Sequence, residues 1–242
     1  MKQKIVTFLY VVLTYAIFFF LKPKTLDALT VEDGWFESLT AVLFLAASII
    51  LLVAFVRDAR GNDLGLFRTK RNVFYLLLAV LFFFGFGEEI SWGQRLLHLE
   101  TPTAIAEHNL QGELNLHNLE LFHGKTEQGV KKGGLSEWIT AGRLFQVFWV
   151  GFCLAIPLLA KASRRLSEWL KRINLPVVPL WLGGLMLATY LLSRLTALLV
   201  APALNHGVVE VKESNEALVF ALIAVFFLVK MPKKARPEGP AA

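Results

Sequence analysis

The apolar positions of this chain are gathered into charge-free runs of 13 to 21 residues, separated by short polar segments. Six such runs predict six helical spans: Ile5 to Leu21, Trp35 to Val56, Val73 to about Trp92, Leu144 to Ala160, Leu175 to Val200 and roughly Val209 to Val229. They are too long for barrel strands, and a helix satisfies its own backbone groups where no water can. The expected fold is all-α. It is a polytopic membrane protein with six transmembrane helices in one domain over residues 1 to 242, with segment 94 to 143 as an extracytoplasmic helical cap between the third and fourth spans.

Composition strengthens this picture. At 55% apolar, a chain of 242 residues has the bilayer as its expected solvent. The net charge of +6 is then a topology signal to be read loop by loop, and a nucleic-acid partner is not expected. Cys153 is the single cysteine, inside an apolar run, which excludes an intramolecular disulfide and a cysteine metal cluster. Lys2 and Lys4 precede the first run as they would in a signal peptide, but the exit FFFLKPK has no small-residue cleavage site, so an uncleaved span is expected. The phenylalanine runs, including Phe148 to Phe152, read as lipid-facing bulk, and Gly183-Gly184 as a helix-packing contact.

Charge fixes an orientation. With both termini cytoplasmic, the inner segments hold 16 of the 25 Lys and Arg against four acids, which satisfies the positive-inside rule at every loop. The outer segments then hold all five histidines and fifteen of the nineteen carboxylates. Nothing in that rule gathers histidine or acids, so the chemistry is expected on the outer side.

A helix needs about 20 residues to cross a hydrocarbon core of roughly 30 Å. The third span offers only fifteen, Val73 to Gly87, before Glu88, and the sixth offers thirteen, Ala217 to Val229, after Glu216. Completing either crossing draws Glu88, Glu89, Glu213 and Glu216 beneath the outer headgroups. Arg194, about two turns before the outer end of the fifth span, lies at a similar depth, and Arg194 and Arg95 are the expected counter-ions. On a continuous helix Glu88, Ser91, Trp92 and Arg95 share one stripe, with Glu89 turned about 100° away.

The outer loop adds EHNLQGELNLHNLE, residues 107 to 120. If Glu113 to Phe122 is helical, Glu113, His117 and Glu120 lie on one face, where carboxylate and imidazole can share a divalent metal.

The blocks EDGWFE, FGEEISWGQR and NLQGELNLHN resemble signatures of a family of bacterial multi-pass membrane proteins of uncharacterised activity, over roughly residues 30 to 125. The resemblance implies that Glu32, Glu37, Glu88, Glu89, Trp92, Gly93, Gln94, Arg95, Glu113, Asn115, His117 and Asn118 stand in signature positions. It implies no activity. A looser likeness is to the membrane metallohydrolases that include alkaline ceramidases, from which this chain departs by carrying glutamates where those carry paired histidines on a late helix.

The leading expectation is an inner-membrane protein with a buried carboxylate and histidine pocket on its outer side, performing metal-dependent hydrolysis or group transfer on a lipid or other amphiphile. Glu37, Glu113, His117 and Glu213 are the expected ligands of a divalent metal, and Glu88, Glu89 and Glu216 the catalytic carboxylates. Arg95, Arg194, Trp92 and Gln94 are expected to hold the substrate. A proton- or cation-coupled transporter or channel and a non-catalytic subunit or assembly factor are the alternatives, and membrane lipids are the expected surroundings.

Overall fold

A computed structural model describes residues 2–31, 34–58, 71–123, 133–134 and 139–231, with the side chains of Arg95 and Leu96 outside that description. Among the described residues the chain is helical throughout, without a strand; one isolated antiparallel bridge joins Asn109 to Leu119. The helices are α1 (Lys2–Phe20), α2 (Pro23–Thr30), α3 (Trp35–Arg57), α4 (Val73–Glu89), α5 (Gln94–Leu97), α6 (Thr103–Ala106), α7 (Ala141–Trp149), α8 (Ile156–Ala162), α9 (Arg164–Arg172), α10 (Leu180–Leu199) and α11 (Asn205–Lys230). Among the described residues four stretches are long and apolar enough to cross a membrane: Lys2–Phe20, Pro23–Arg57, Ala141–Ala162 and Leu180–Leu199.

The other two expected spans, α4 and α11, fall short for a physical reason. Helix α4 has 17 residues, about 25 Å at 1.5 Å per residue, and ends in two carboxylates. Helix α11 is long, with 26 residues, but Glu210, Lys212, Glu213 and Glu216 fill its first half. It tolerates them because it is the central helix of the bundle. It packs most extensively on α3 and also touches α1, α2 and α10, so its buried positions lie on every side.

Several sequence features explain the packing. Phe220 of α11 is fully buried and meets Phe82 of α4 at 4.8 Å and Phe145 and Phe148 of α7 at 5.8 and 5.9 Å between ring centroids. The expectation that the phenylalanine runs face lipid therefore holds for Phe83 and Phe84, which are exposed, but not for Phe82, Phe148 or Phe152. Between α7 and α8 the chain passes through a π-helical turn, Val150–Ala155. Pro157 has no N–H to give the Cys153 carbonyl four residues earlier, which favours such a local rearrangement. That carbonyl comes so close to α10 that a Cβ on Gly183 would lie 2.1 Å from it, whereas a Cβ on Gly184 would meet nothing within 4 Å. Only the first glycine of the pair makes the expected contact.

The two ends of the bundle differ in chemistry. At one end the Asn72 N–H donates to Asp58 Oδ2 at 2.7 Å and its side-chain amide donates to the Asn174 carbonyl at 2.8 Å, tying together α3, α4 and the segment after α9. Lys4 lies over the Trp181 ring at 5.3 Å, so α1 and α10 begin at this end and run parallel. At the other end α2 packs on the start of α11, where Thr30 fills the space a Cβ on Gly207 would need.

Gly183→Ala is expected to destabilise the fold by about 1 to 3 kcal/mol by forcing α10 away from the Cys153 carbonyl, while Gly184→Ala leaves stability unchanged or slightly raised. Thermal unfolding of the two variants in detergent, followed by tryptophan fluorescence, measures the contrast.

Candidate functional site

At the second end, α4 does not continue past Glu89. Ser91, Trp92 and Gly93 take left-handed backbone conformations, with φ of 46°, 53° and 78°. Such conformations are costly for residues with a side chain and persist only when their surroundings hold them. Here the holding group is the indole of Trp92, which folds back over α4, lies edge-on to Phe83 and Phe84, and rests where a Cβ on Gly87 would come within 2.8 Å. Its Nε1–H donates to Glu88 Oε1 at 2.7 Å. The expected single stripe of Glu88, Ser91, Trp92 and Arg95 is thus corrected: the helix breaks between them, and Trp92 is a clamp on Glu88 rather than a neighbour further along one face.

Glu88 in turn anchors the loop that follows α6. Its Oε2 accepts the backbone N–H of Leu116 at 2.7 Å and of His117 at 2.8 Å, and His117 Nδ1 lies 3.2 Å away. Both oxygens of this buried carboxylate are committed to the loop and the indole. Charged acceptors make the stronger class of hydrogen bond, so one side chain fixes a loop 28 residues distant in sequence.

That loop is not the helix expected over Glu113 to Phe122; only Glu120–Phe122 forms a single 3₁₀ turn. Asparagine is the reason, because its side chain competes with helical backbone bonds. Asn109 accepts from the N–H groups of Gln111 and Glu113 through Oδ1 and donates through Nδ2 to the Asn115 carbonyl at 2.8 Å. Gly112 adds a φ of 67°. Gln94 clamps the other side, donating to Thr101 Oγ1 and accepting the Leu114 N–H, both at 2.6 Å, while Thr101 donates to the Gly112 carbonyl. Gln94, expected at the substrate, therefore serves the loop.

Between the loop and the helix ends is a cavity of about 130 Å³. Glu37 of α3, Glu88 and Glu89 of α4, and His206, Glu210 and Glu213 of α11 line it from below; Ser91, Gln111, Glu113, Asn115, His117 and Asn118 line it from the turn and the loop. Ser91 Oγ donates to Glu113 Oε2, and the Asn115 amide donates to the same oxygen at 3.0 Å. The expected ligands Glu37, Glu113, His117 and Glu213 thus all reach one cavity. Yet among the described residues no three acidic, imidazole or thiol side chains stand close enough to hold a metal ion between them.

Glu89 has a different character from Glu88. No hydrogen bond or ion pair reaches it among the described residues, and its charged neighbours are the carboxylates of Glu213, Glu210, Glu37 and Glu88. Among the described residues no lysine or arginine lines the cavity. Arg194 is exposed on the outward face of α10, beside Leu191, Leu195 and Leu198, and is corrected as a counter-ion: Ser193, one residue earlier, occupies the inward face. The Arg95 side chain, like Glu32 and Asp33 of the first acidic block, lies outside the described residues.

Lys212 is the cation that sequence reasoning missed. Its Nζ lies 3.5 Å from Glu213 Oε1 and 3.8 Å from Glu216 Oε2, and the four-residue spacing to Glu216 was the available signal. Glu216 does not line the cavity; it is buried one turn deeper on α11, beside Asn215, which donates to Thr14 Oγ1 of α1 at 2.8 Å. No protein-family model, curated protein or solved structure matches this chain.

Glu88→Ala leaves the N–H groups of Leu116, His117 and the Trp92 indole without their acceptor, at about 1 to 3 kcal/mol for each that stays buried. The loop is expected to detach while α4 persists. Hydrogen exchange read by mass spectrometry should then show peptides containing Leu116 and His117 exchanging roughly tenfold faster or more, with Val73 to Phe82 unchanged.

Proposed function

We propose that this chain is a six-span inner-membrane protein that binds a partly hydrated divalent cation in its outer-side acidic cavity. The observation that carries this reading is the convergence of Glu37, Glu89, Glu210 and Glu213, from three different helices, on one small space lined by no lysine or arginine among the described residues. Two carboxylates held roughly 6 Å apart repel by about 3 kcal/mol at an effective dielectric constant of 20. A divalent cation converts that repulsion into attraction.

Size narrows the occupant. A volume of about 130 Å³ lies below the roughly 300 Å³ at which pockets begin to enclose a small organic ligand. Carboxylates spread around the wall, rather than gathered at one point, suit a small hard cation such as Mg²⁺ or Mn²⁺, which keeps several waters and takes one or two carboxylates directly. Glu89 and Glu213 would hold such a cation, with His206 and Glu210 facing the same space.

The chemistry such a cation supports is hydrolysis or group transfer on an amphiphile whose polar end reaches the cavity from the outer leaflet. A cation held there would supply Lewis-acid polarisation of an ester or phosphoryl oxygen, and Glu113, held by Ser91 and Asn115, would be the group to take a proton from water. Conduction across the membrane is the weaker reading, because the buried α11 positions beyond Glu216 are Ala217, Val219, Phe220, Ala221, Ile223, Ala224 and Phe227, an apolar plug.

The orientation with both termini cytoplasmic rests on the basic rim that gathers Lys4, Arg71 and α9 at the end opposite the cavity. The membrane crossing by α4 is completed by the Ser91 to Gly93 turn and its clamped loop, and that by α11 by its protein surroundings.

Titration of purified protein with Mn²⁺, followed by electron paramagnetic resonance, is expected to show saturable binding near one ion per chain. Glu89→Gln combined with Glu213→Gln should weaken it by roughly a hundredfold, about 2.7 kcal/mol; absence of saturable binding, or unchanged affinity in the double variant, overturns the reading. Since Cys153 is buried, added cysteines report orientation cleanly. Glu107→Cys is expected to react with a membrane-impermeant maleimide in intact cells, and Arg165→Cys only after permeabilisation.

A further inference from the structure

Beneath the cavity, Lys212 stands between two carboxylates, loosely bonded to Glu213 and short of Glu216. Charge-assisted hydrogen bonds close at roughly 2.7 to 2.9 Å, whereas the ammonium lies 3.5 Å from Glu213 and 3.8 Å from Glu216. Glu213 faces the cavity with its side chain 39% exposed, and Glu216 is 2% exposed. Among the described residues Glu216 Oε2 is buried with no hydrogen-bond partner. A buried acceptor in that condition is a standing cost unless a donor can reach it.

Around Glu216 most polar groups are engaged elsewhere, while Thr189 Oγ1 is buried without a partner among the described residues. Asn215 is engaged with Thr14, the Tyr15 hydroxyl donates to the Thr189 carbonyl at 3.0 Å, and Ser193 donates to the carbonyl of Tyr190. The charged groups about Lys212 are Glu213, Glu216 and Glu210 on its own helix, and the ionisable group that α1 turns toward Glu216 is Tyr15. Lys212 is the cationic donor within reach of Glu216, and its attachment to Glu213 is what holds it back.

Resting on the cation reading above, we infer that Lys212 is a tethered competitor for the cavity's cation and that Glu216 is the buried seat to which it withdraws when the cation arrives. With the cavity empty, the ammonium offsets the charge of Glu213. A divalent ion taking Glu213 repels it, and a shift of about an ångström brings it within charge-assisted bonding distance of Glu216 Oε2. Glu216 is then not a catalytic carboxylate but a positioning residue. It sets how easily Glu213 is released to the ion, and it ties cation occupancy to the packing of α11 against α1.

Mn²⁺ titration of three proteins tests this. Glu216→Gln removes the charge that receives Lys212, leaves the ammonium on Glu213, and is expected to weaken Mn²⁺ binding by roughly tenfold, within the usual range of coupling between sites. Lys212→Met combined with Glu216→Gln removes competitor and seat together, leaves no unpaired buried charge, and is expected to bind roughly tenfold more tightly than the unaltered protein. Thermal unfolding establishes that each variant is folded. Should both variants bind like the unaltered protein, or the double variant bind more weakly, the role of Lys212 is overturned while the cation site stands. Should the unaltered protein bind no Mn²⁺, both fall together.

Discussion

A carboxylate buried at the end of an apolar helix must find donors, because apolar side chains offer none and an unmet buried charge costs several kcal/mol. Glu88 finds them in the indole of Trp92 and in two consecutive backbone amides of the loop that follows α6, with the His117 ring beside it. Much else at this end depends on that arrangement. It holds Trp92 against Gly87, stabilises three left-handed residues that would otherwise relax, and stops α4 at Glu89. It also draws the loop down as a roof, so that Glu113, Asn115 and His117 face the carboxylates of α3, α4 and α11 across a shared space.

The two adjacent glutamates consequently divide the work. Glu88 is consumed by structure, and among the described residues Glu89 faces the cavity with only other carboxylates as charged neighbours. Beneath them, α11 grades from polar to apolar along its length. Glu210 and Glu213 line the cavity, Lys212 and Glu216 form a half-buried layer under it, and from Ala217 onward the buried side is hydrocarbon. A helix facing lipid could not carry that gradient. One enclosed by α1, α2, α3 and α10 can, because its charges meet protein groups instead of acyl chains.

Some of the site was legible along the chain and some was not. That Glu37, Glu88, Glu89, Glu113, His117 and Glu213 belong together follows from depth and sidedness, and all six do line one cavity. Arg194 misled because depth alone says nothing of azimuth; one residue's rotation on α10 places it outward with leucines. The helix expected over Glu113 to Phe122 failed because Asn109 and Asn115 offer the backbone better local partners, an effect that a spacing argument ignores. Lys212 was overlooked because it falls inside an acidic stretch and reads as ordinary compensation.

The amino-acid sequence by itself determined that this protein is helical, that several of its helices are apolar enough for the bilayer, and that glutamates stand where apolar runs end. Those properties follow from counts and from run lengths, which need no contacts. Tertiary structure alone decided which carboxylate is structural and which is presented, where α4 ends, and that the charges of α11 face protein. Each of those outcomes is a matter of which donor comes within three ångströms of which acceptor, and distance between residues far apart in sequence is set only when the helices pack.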